Sequence, residues 1–326
     1  MNLTVLFSSA GRRVELINCF RKDARALNCG LRVVATDMRP ELSAACAAAD
    51  ASWAVPRCDT REFVPRLLAI CAEEKVDLLI PTIDPELLPL ARARAEFAAN
   101  GTRVVVSDAM LVEVARDKIR TAAALAQAGL PVPRTAPLGE LLAESTRLEY
   151  PVILKRIDGS SSVGLHEATQ LDEVRGLGLD TATYLAQEKW PGREYTVNLF
   201  FDRAGRMQCA VPHWRIETRA GEVSKGRTER LPLLMDLAER LGGALPGAAG
   251  PLCFQAMVTP AGQGAVFEIN ARFGGGYPLA HRAGATFSRW LLEEAAGLAS
   301  SATNAWQDGL TMLRYDAAVF RSAPRT

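Results

Sequence analysis

The sequence carries almost no net charge, because its 38 lysines and arginines stand against 37 aspartates and glutamates. A balanced chain has no global field that would attract nucleic acid or an anionic membrane, so neither is predicted as a partner. The sequence also lacks a basic leader before a long apolar run, and any stretch near the ~18 apolar residues that a membrane span needs. We expect a cytoplasmic protein that is neither exported nor embedded.

Disulfide and zinc-binding patterns are missing as well. The seven cysteines are odd in number and scattered, without a C-x-x-C pair, which argues against a disulfide framework or a zinc knuckle. The histidines His166, His213 and His281 have no metal-ligand spacing and are interpreted as structural or surface residues. These patterns fit a reducing compartment.

The first third of the chain alternates short β-branched runs with Ala/Leu/Arg-rich stretches, which predicts a parallel, doubly wound sheet. Ligands of such sheets gather at the carboxyl ends of the strands, which here hold Gly11, Asp37, Thr82 and Asp84. Gly11 stands alone where a G-x-G-x-x-G dinucleotide fingerprint would be needed. We interpret this region as a Rossmann-like lobe without a signal for NAD.

The pattern changes after Val106, where Asp117 can cap a helix that runs from Lys118 to Ala128. From Tyr150 onward, short strands are joined by hairpin-like loops, which predicts an α+β region with antiparallel sheet. These loops are 158–164, 190–193 and 259–264. The complete chain is therefore expected to combine an α/β lobe with an α+β region.

A first group of polar residues combines Lys155, at the end of a predicted strand, with the Gly/Ser-rich segment 158–164. Small residues with unblocked amides can surround a phosphate, while the lysine supplies a positive charge. The segment is not a Walker A loop, because Leu165 and His166 follow Gly164 instead of Lys-Ser/Thr. The alternative interpretation is a polar hairpin with a solvated lysine.

A second group lies between two predicted strands, where Glu188 and Glu194 flank a segment that contains Trp190. The carboxylates could accept hydrogen bonds from an adenine amine and from ribose hydroxyls, with the indole against the base. The alternative is a surface connection with ordinary solvated charges.

A third group follows from strand geometry. If 252–258 and 266–270 form a hairpin that pairs Val258 with Ala265, then Gln255 lies opposite Glu268, with Cβ atoms ~5 Å apart. Alternation places Glu268 and Asn270 on one face and Phe267 on the other. One carboxylate and two amide oxygens suit magnesium, although the solvent face of a hairpin would show the same alternation. Arg272 and three glycines follow directly and could hold an anion.

Taken in order, these motifs resemble the ATP-grasp superfamily, in particular half of one synthetase unit of the carbamoyl-phosphate synthase large subunit and the stand-alone proteins similar to it. The resemblance covers about residues 107–295. It implies a Rossmann-like pre-ATP-grasp domain over 1–108 and a two-lobed ATP-grasp domain over 109–326. The small lid lobe would span about 117–188, and the larger, metal-binding lobe about 189–300.

The resemblance also implies roles for single residues. Lysines and the glycine-rich loop would contact the nucleotide phosphates, Glu188 and Trp190 would border the adenine, and Glu194 would bind the ribose. The implied nucleotide-binding residues are Lys118, Lys155, Gly159, Ser160, Ser161, Ser162, Gly164, Glu188, Trp190 and Glu194. The implied ligands of magnesium, with manganese as an alternative, are Gln255, Glu268 and Asn270.

By the same resemblance, the protein would be an ADP-forming enzyme that uses ATP and Mg²⁺. A substrate carboxylate would attack the γ-phosphate, and an amine would capture the resulting acyl phosphate. Lys155 and Arg272 would be the catalytic residues, stabilising the transferred group without a covalent enzyme intermediate. The chain is too short for the two synthetase units of carbamoyl-phosphate synthase and shows no glutaminase signature.

The small-molecule carboxylate and amine would meet where the first lobe faces Arg272. The Gly274 and Gly275 amides could hold a carboxylate, and Asp84 could receive a cationic amine. Alternatively, Asp84 caps the helix after Pro85. The cations Arg215, Lys225 and Arg227 would face the same cleft or form a solvated basic turn.

Two further hypotheses remain. A non-catalytic sensor could use ATP to close two lobes, although the metal and phosphate residues look complete. An NAD-dependent enzyme built on the first lobe is disfavoured by the missing fingerprint. A homodimer is left open, since nothing in the sequence specifies the oligomeric state.

Overall fold

The computed structural model describes residues 1–159 and 164–320. Its first sheet is parallel, with strand order β3-β2-β1-β4-β5. The strands are β1 Asn2–Ser8, β2 Gly30–Asp37, β3 Ala51–Ala54, β4 Leu78–Pro81 and β5 Arg103–Val104. The connecting helices are α1 Val14–Ala26, α2 Ala44–Ala48, α3 Phe63–Glu74, α4 Asp84–Arg92 and α5 Arg94–Ala99, with a 3₁₀ turn at Pro40–Leu42. Helices on both faces explain why the central strands are apolar runs without alternation.

The second sheet is antiparallel and has four strands in the order β6-β9-β7-β8. Its strands are β6 Thr135–Pro137, β7 Val152–Arg156, β8 His166–Ala168 and β9 Tyr184–Glu188. The helices of this region are α6 Ala109–Arg116, α7 Lys118–Gln127, α8 Leu138–Leu142 and α9 Leu171–Gly176. The predicted cap of α7 is present, because Asp117 accepts hydrogen bonds from the backbone N–H groups of Ile119 and Arg120 at 2.9 and 3.0 Å.

The third sheet is antiparallel and has six strands in the order β14-β13-β10-β11-β12-β15. Its strands are β10 Arg193–Phe201, β11 Met207–Arg219, β12 Glu222–Thr228, β13 Gly250–Val258, β14 Gly264–Asn270 and β15 Thr311–Leu313. The remaining helices are α10 Pro232–Gly243, α11 Tyr277–Arg282 and α12 Phe287–Ala295.

The cores show which parts of the molecule are packed as one body. One cluster joins Leu6 of the first sheet to Phe254 of the six-stranded sheet, and another joins Phe20 to Trp290. The four-stranded sheet has a separate small core that includes Leu154. The first and third sheets therefore share buried apolar surface. The four-stranded sheet packs around its own core, and a cleft lies between it and the third sheet.

The predicted fold class is confirmed: a parallel sheet in the N-terminal region is followed by antiparallel sheets. The expectation of a hairpin at 190–193 is wrong, because β9 and β10 on either side belong to different sheets. The segment instead crosses from one sheet to the other, and Trp190, Gly192 and Arg193 line the cleft between them. Among the helices of 1–159 and 164–320, none has the length and apolar character to span a bilayer.

Candidate functional site

A cavity of about 580 Å³ lies between the four-stranded and six-stranded sheets. Its apolar lining includes Pro133, Ile153, Leu165, Trp190, Met257 and Phe267. Its charged and polar lining includes Lys118, Lys155, Glu188, Glu194, Arg215, Gln255 and Glu268. Apolar walls with a few convergent polar groups are typical of a small-molecule site. A second cavity, of about 400 Å³ at the edge of β5, contains none of the predicted site residues.

The β13–β14 hairpin brings Gln255 opposite Glu268, as predicted, but through a different register. Val258 pairs with Gly264 instead of Ala265, and a β-bulge between Gln255 and Ala256 restores the expected pairing. The bulge also breaks the alternation of faces, so that Phe267 and Glu268 both line the cavity. The prediction that Phe267 faces away from Glu268 is therefore wrong.

Lys155 lines the cavity and is held in place by residues of neighbouring strands. Its Nζ donates to Gln187 Oε1 at 2.8 Å, and Gln187 Nε2 donates to Thr135 Oγ1 at 2.7 Å. The ammonium group also lies 5.2 Å from the centre of the Phe267 ring. Burial lowers the pKa of Lys155 to about 8, and the charge of Lys118 acts in the same direction, while Glu268 opposes it. Burial removes the water that would stabilise the charged ammonium group. An anionic ligand would stabilise that charge instead, so Lys155 is suited to bind one.

Lys118 reaches the same end of the cavity from the first residue of α7. Its Nζ donates to the carbonyl of Gly159 at 2.5 Å and lies 3.9 Å from Glu268 Oε1. Gly159 lines the cavity, so its backbone and both lysines converge there. The predicted phosphate contacts Ser160, Ser161 and Ser162 lie outside the described residues. Gly164 adopts φ +71°, and a Cβ there would lie 2.6 Å from the Tyr184 hydroxyl.

Glu188 and Trp190 lie on the crossing between the sheets and line the cavity. The Glu188 carboxylate accepts a hydrogen bond from the Glu149 backbone N–H at 2.8 Å and lies 3.7 Å from Arg134 Nη1. Part of the hydrogen-bonding capacity of the Glu188 carboxylate is therefore used to hold the end of β9 in place. Trp190 supplies apolar surface to the cavity, and its contact with an adenine stays a prediction.

Glu194 and Arg215 form an ion pair on adjacent strands, with 2.8 Å between Oε1 and Nε. Burial raises the pKa of Glu194, and the charge of Arg215 works against that shift. Lys225 and Arg227, predicted to face the same cleft, are exposed on β12 instead. Arg215 pairs across the strands with Gly226, so alternation sends Lys225 and Arg227 to the opposite face.

Arg272 lies two residues after the end of β14, outside the lining of the cavity, and is already paired. Its Nη2 donates to Asp84 Oδ2 at 2.8 Å and to Asn270 Oδ1 at 3.1 Å, and its Nη1 donates to the Phe273 carbonyl at 3.1 Å. Burial would raise the pKa of Asp84, but the charge and hydrogen bond of Arg272 lower it. The Asp84 carboxylate expected to receive an amine is thus neutralised by the arginine expected to hold a carboxylate.

The alternative cap role for Asp84 is wrong. Asp84 is the first residue of α4 and not its N-cap. The backbone N–H groups of Thr82 and Ile83 donate hydrogen bonds to Glu86 Oε1 at 2.7 and 3.2 Å. Glu86 is buried, and burial raises its pKa despite these hydrogen bonds. With Glu86 satisfying the start of the helix, Asp84 is left to contact Arg272.

The predicted metal ligands fit a divalent cation only in part. Among the described residues, no cluster of three or more His, Cys, Asp or Glu could hold a metal. Glu268 and Gln255 both face the cavity, whereas Asn270 uses its Oδ1 toward Arg272. One carboxylate is sufficient for magnesium when phosphates and waters supply the other oxygens. The residues present therefore fit a magnesium ion that arrives with a phosphate group.

The glycines after Arg272 are required by close packing. A Cβ at Gly275 would lie 2.8 Å from Glu222 Cδ, and one at Gly276 would lie 2.5 Å from His213 Nε2. Burial lowers the pKa of His213 to about 3, so the ring is neutral. The side-chain amide nitrogen of Asn198 lies within hydrogen-bond distance of His213 Nδ1. Because an amide nitrogen is a donor, Nδ1 accepts, and the neutral ring carries its proton on Nε2, which faces Gly276.

We predict that Gly276→Ala destabilises the fold by about 1–3 kcal/mol, because the fully buried His213 ring has no space to move away. Chemical denaturation measures the change in the free energy of unfolding. Gly176→Ala is the control, since a Cβ in that helix would meet nothing within 4 Å. Equal stabilities of the two variants would contradict the prediction.

Some residues of the site were not found from the sequence. Gln187, which orients Lys155, lies in a strand whose pattern carries no chemical signal. Trp214 lines the cavity with Arg193 stacked 4.3 Å from its ring centre, a contact that depends on which strands are neighbours. Arg13 follows the end of β1 and contacts Glu222 of the six-stranded sheet, and the double arginine at 12–13 is its signal in the sequence.

Comparison with known proteins agrees with this geometry. Residues 5–105 match the model of the PylC-like N-terminal domain, and residues 115–276 match the ATP-grasp domain. A carbamoyl-phosphate synthase of Methanobrevibacter smithii is 30% identical over 115 residues, which are 34% of this chain and 31% of the relative. A D-alanine–D-alanine ligase of Pseudomonas putida is 28% identical over 134 residues, or 39% and 42% of the two chains.

The solved structures show the same architecture. The biotin carboxylase domain of 2-oxoglutarate carboxylase from Hydrogenobacter thermophilus superposes with a TM-score of 0.74 at 16% identity, covering 94% of this chain and 73% of that domain. The matched segments span about a third to two-fifths of the curated relatives described above. On these matches and the cleft between its two antiparallel sheets, the chain belongs to the ATP-grasp family and carries a PylC-like domain ahead of its ATP-grasp domain.

Proposed function

We propose that the protein is an ATP- and Mg²⁺-dependent ligase that activates a carboxylate as an acyl phosphate for capture by an amine. The observation that carries the proposal is the convergence of Lys118, Lys155 and Glu268 at one end of an apolar-walled cavity. The apolar walls suit a base, and the two ammonium groups suit phosphates. Mg²⁺, held by Glu268 with Gln255, would neutralise phosphate charge.

The proposed reaction has two steps, and neither forms a covalent bond to the enzyme. A carboxylate oxygen attacks the γ-phosphorus, the bond to ADP breaks, and an acyl phosphate forms. The amine nitrogen then attacks the acyl carbon, and inorganic phosphate leaves as the nitrogen loses a proton. Lys118 and Lys155 stabilise the transferred phosphoryl group. Arg272 orients the carboxylate beside the Gly274 and Gly275 amides through its Nε, which is buried and has no hydrogen-bond partner in the part of the chain that the structure describes.

The relatives support the reaction class without specifying the substrates. Their names include a carbamoyl-phosphate synthase and a D-alanine–D-alanine ligase, and the biotin carboxylase domain was solved with MgADP and bicarbonate. Because the matches cover only part of the curated relatives, the particular carboxylate and amine are not inferred from them. The polar residues at Arg272 and Asp84 are the ones that would select the substrates.

ADP release across a panel of carboxylates and amines tests the proposal. We expect release that needs Mg²⁺ and one specific pair of substrates. ATP binding without any substrate-dependent ADP release would favour the alternative, a non-catalytic ATP-binding sensor. Failure to bind ATP would reject both, and a parallel NAD titration checks the third hypothesis.

A pH-dependent prediction follows from Lys155. With a pKa of about 8 in the free protein, this lysine is partly neutral in weakly alkaline solution, and a bound phosphate would raise its pKa again. Binding of a non-hydrolysable ATP analogue should therefore take up protons, little at pH ~6.5 and increasingly through pH ~8. Calorimetry in buffers with different ionisation enthalpies measures this uptake.

The control for this measurement is Lys155→Arg, which keeps the charge but does not titrate in this range. The arginine variant should bind the analogue with little proton uptake above pH ~7.5. The same uptake in both proteins would show that another group titrates on binding.

A further inference from the structure

Beyond Arg272, three chain segments that are distant in sequence meet at Glu222. Arg13 Nη1 from the first lobe lies 3.4 Å from Glu222 Oε1, and Arg314 Nη1 donates to Glu222 Oε2 at 3.1 Å. Arg314 Nη2 also donates to the carbonyl of Gly275 at 2.7 Å. The cluster therefore borders the glycines that the proposed function places beside the substrate.

Arg13 is poorly satisfied for a guanidinium at this depth. Its side chain is 18% exposed, and burial lowers its pKa, with the charge of Arg272 acting in the same direction. Its contacts with Glu222 and with the Thr82 carbonyl are both 3.4 Å long. Charge-assisted bonds to a carboxylate are usually ~2.7–2.9 Å, and arginine has five N–H donors to satisfy. The donors of Arg13 are free to make shorter bonds to another anion.

The charges of this region do not cancel. Burial would raise the pKa of Glu222, but Arg13, Arg314 and Arg12 together lower it. Three guanidinium groups therefore act on one carboxylate. The neighbouring Arg272 is already matched by Asp84. An additional anion would balance the cluster.

The backbone fixes this cluster in place. Arg314 directly follows β15, which pairs with β12, and its backbone N–H donates to the Ser224 carbonyl at 2.9 Å. Gly275 has no side chain and so permits the Glu222 carboxylate to lie against it. Arg314 lies outside both regions that match family models, residues 5–105 and 115–276.

We propose that Arg13 and Arg314 form a binding site for an anionic group of the substrate, separate from the carboxylate that is phosphorylated. The anionic group is a carboxylate, and it belongs either to the amine, as in an amino acid, or to the acid, as in a dicarboxylate. Glu222 positions the two guanidinium groups. This inference rests on the proposed function, because it assigns a second contact to a substrate of the same reaction.

The test is calorimetric titration of the full chain in the presence of a non-hydrolysable ATP analogue and Mg²⁺. Glycine and alanine are compared with methylamine and ethylamine, and succinate is compared with propionate, so that each pair differs by one carboxylate. We expect the wild type to bind the carboxylate-bearing members of one set at least tenfold more tightly. Preference within the amines or within the acids identifies which substrate carries the group.

The variants Arg13→Gln and Arg314→Gln should each reduce that preference tenfold or more while the affinity for the ATP analogue stays within twofold. Arg219→Gln is the matched control, because it removes an exposed ion pair with Asp316 in the same C-terminal segment. The inference would be overturned if both variants bound every probe as tightly as the wild type does. It would also be overturned if the wild type bound none of the probes. Failure of the analogue itself to bind would instead reject the proposed function.

Discussion

Glu268→Gln is expected to abolish ADP release, with a loss of roughly 1,000-fold or more in turnover. Glu268 is the one carboxylate opposite Gln255 on the hairpin, and it lies 3.9 Å from the Lys118 ammonium at the phosphate end of the cavity. Glutamine keeps the size and an oxygen ligand but loses the charge that a magnesium ion needs. ADP release with saturating ATP and substrates measures the effect.

The same variant should fold normally. The described contacts of Glu268 are weak, at 3.9 Å to Lys118 and 3.5 Å to Asn270, so its charge contributes little to the packed structure. We expect an unchanged melting temperature within a few degrees. Glu217→Gln is the control, because Glu217 pairs with Lys225 on the exposed part of the sheet and should keep full activity. Near-normal turnover of Glu268→Gln would show that the metal assignment is wrong.

The fold was predictable wherever local patterns determine it. Buried runs such as 3–7 and 78–81 indicate parallel strands, and both are strands of the first sheet. Asp117 was predicted to cap the following helix, and its carboxylate does accept a hydrogen bond there. The hairpin itself was predictable because its strands are close in sequence, but Gln255 meets Glu268 only because a β-bulge offsets the one-residue error in the predicted register. Local geometry was therefore enough for these strands, for the start of α7 and for the existence of the hairpin.

The remainder of the site depends on contacts between distant segments. A bulge turned Phe267 toward Lys155, and strand alternation alone gives no sign of a bulge. The crossing at 190–193 looks like a hairpin in sequence, since a short polar connection does not reveal that the next strand joins another sheet. The pairing of Asp84 with Arg272 spans 188 positions and follows only from how the first and third sheets pack.

Arg272→Gln is expected to lower both activity and stability. The pair between Arg272 and Asp84 is largely buried, with side chains 13% and 12% exposed, so removing the arginine leaves an unpaired carboxylate with little access to solvent. Breaking such a pair costs about 3 kcal/mol or more. ADP release should fall by roughly 100-fold or more, because the group that orients the carboxylate is lost.

The double variant Arg272→Gln/Asp84→Asn separates the two effects. With neither charge present, most of the lost stability should return, while activity stays low. Denaturant unfolding and ADP release measure the two outcomes. Activity recovered together with stability would mean that Arg272 acts only through the fold.

The pH dependence of unfolding gives an independent check on this pair. In the wild type, the pKa of Asp84 is lowered, so its contribution to stability is present above the ordinary aspartate pKa of ~4 and is lost as the pH falls through the lowered folded value. In Arg272→Gln, burial without the arginine should raise that pKa, so that Asp84 takes up a proton at a higher pH. The stability deficit of the variant should therefore narrow as the pH falls from 7 toward ~4. A deficit that stays constant across this range would show that the variant is destabilised by lost packing and not by an unpaired charge at Asp84.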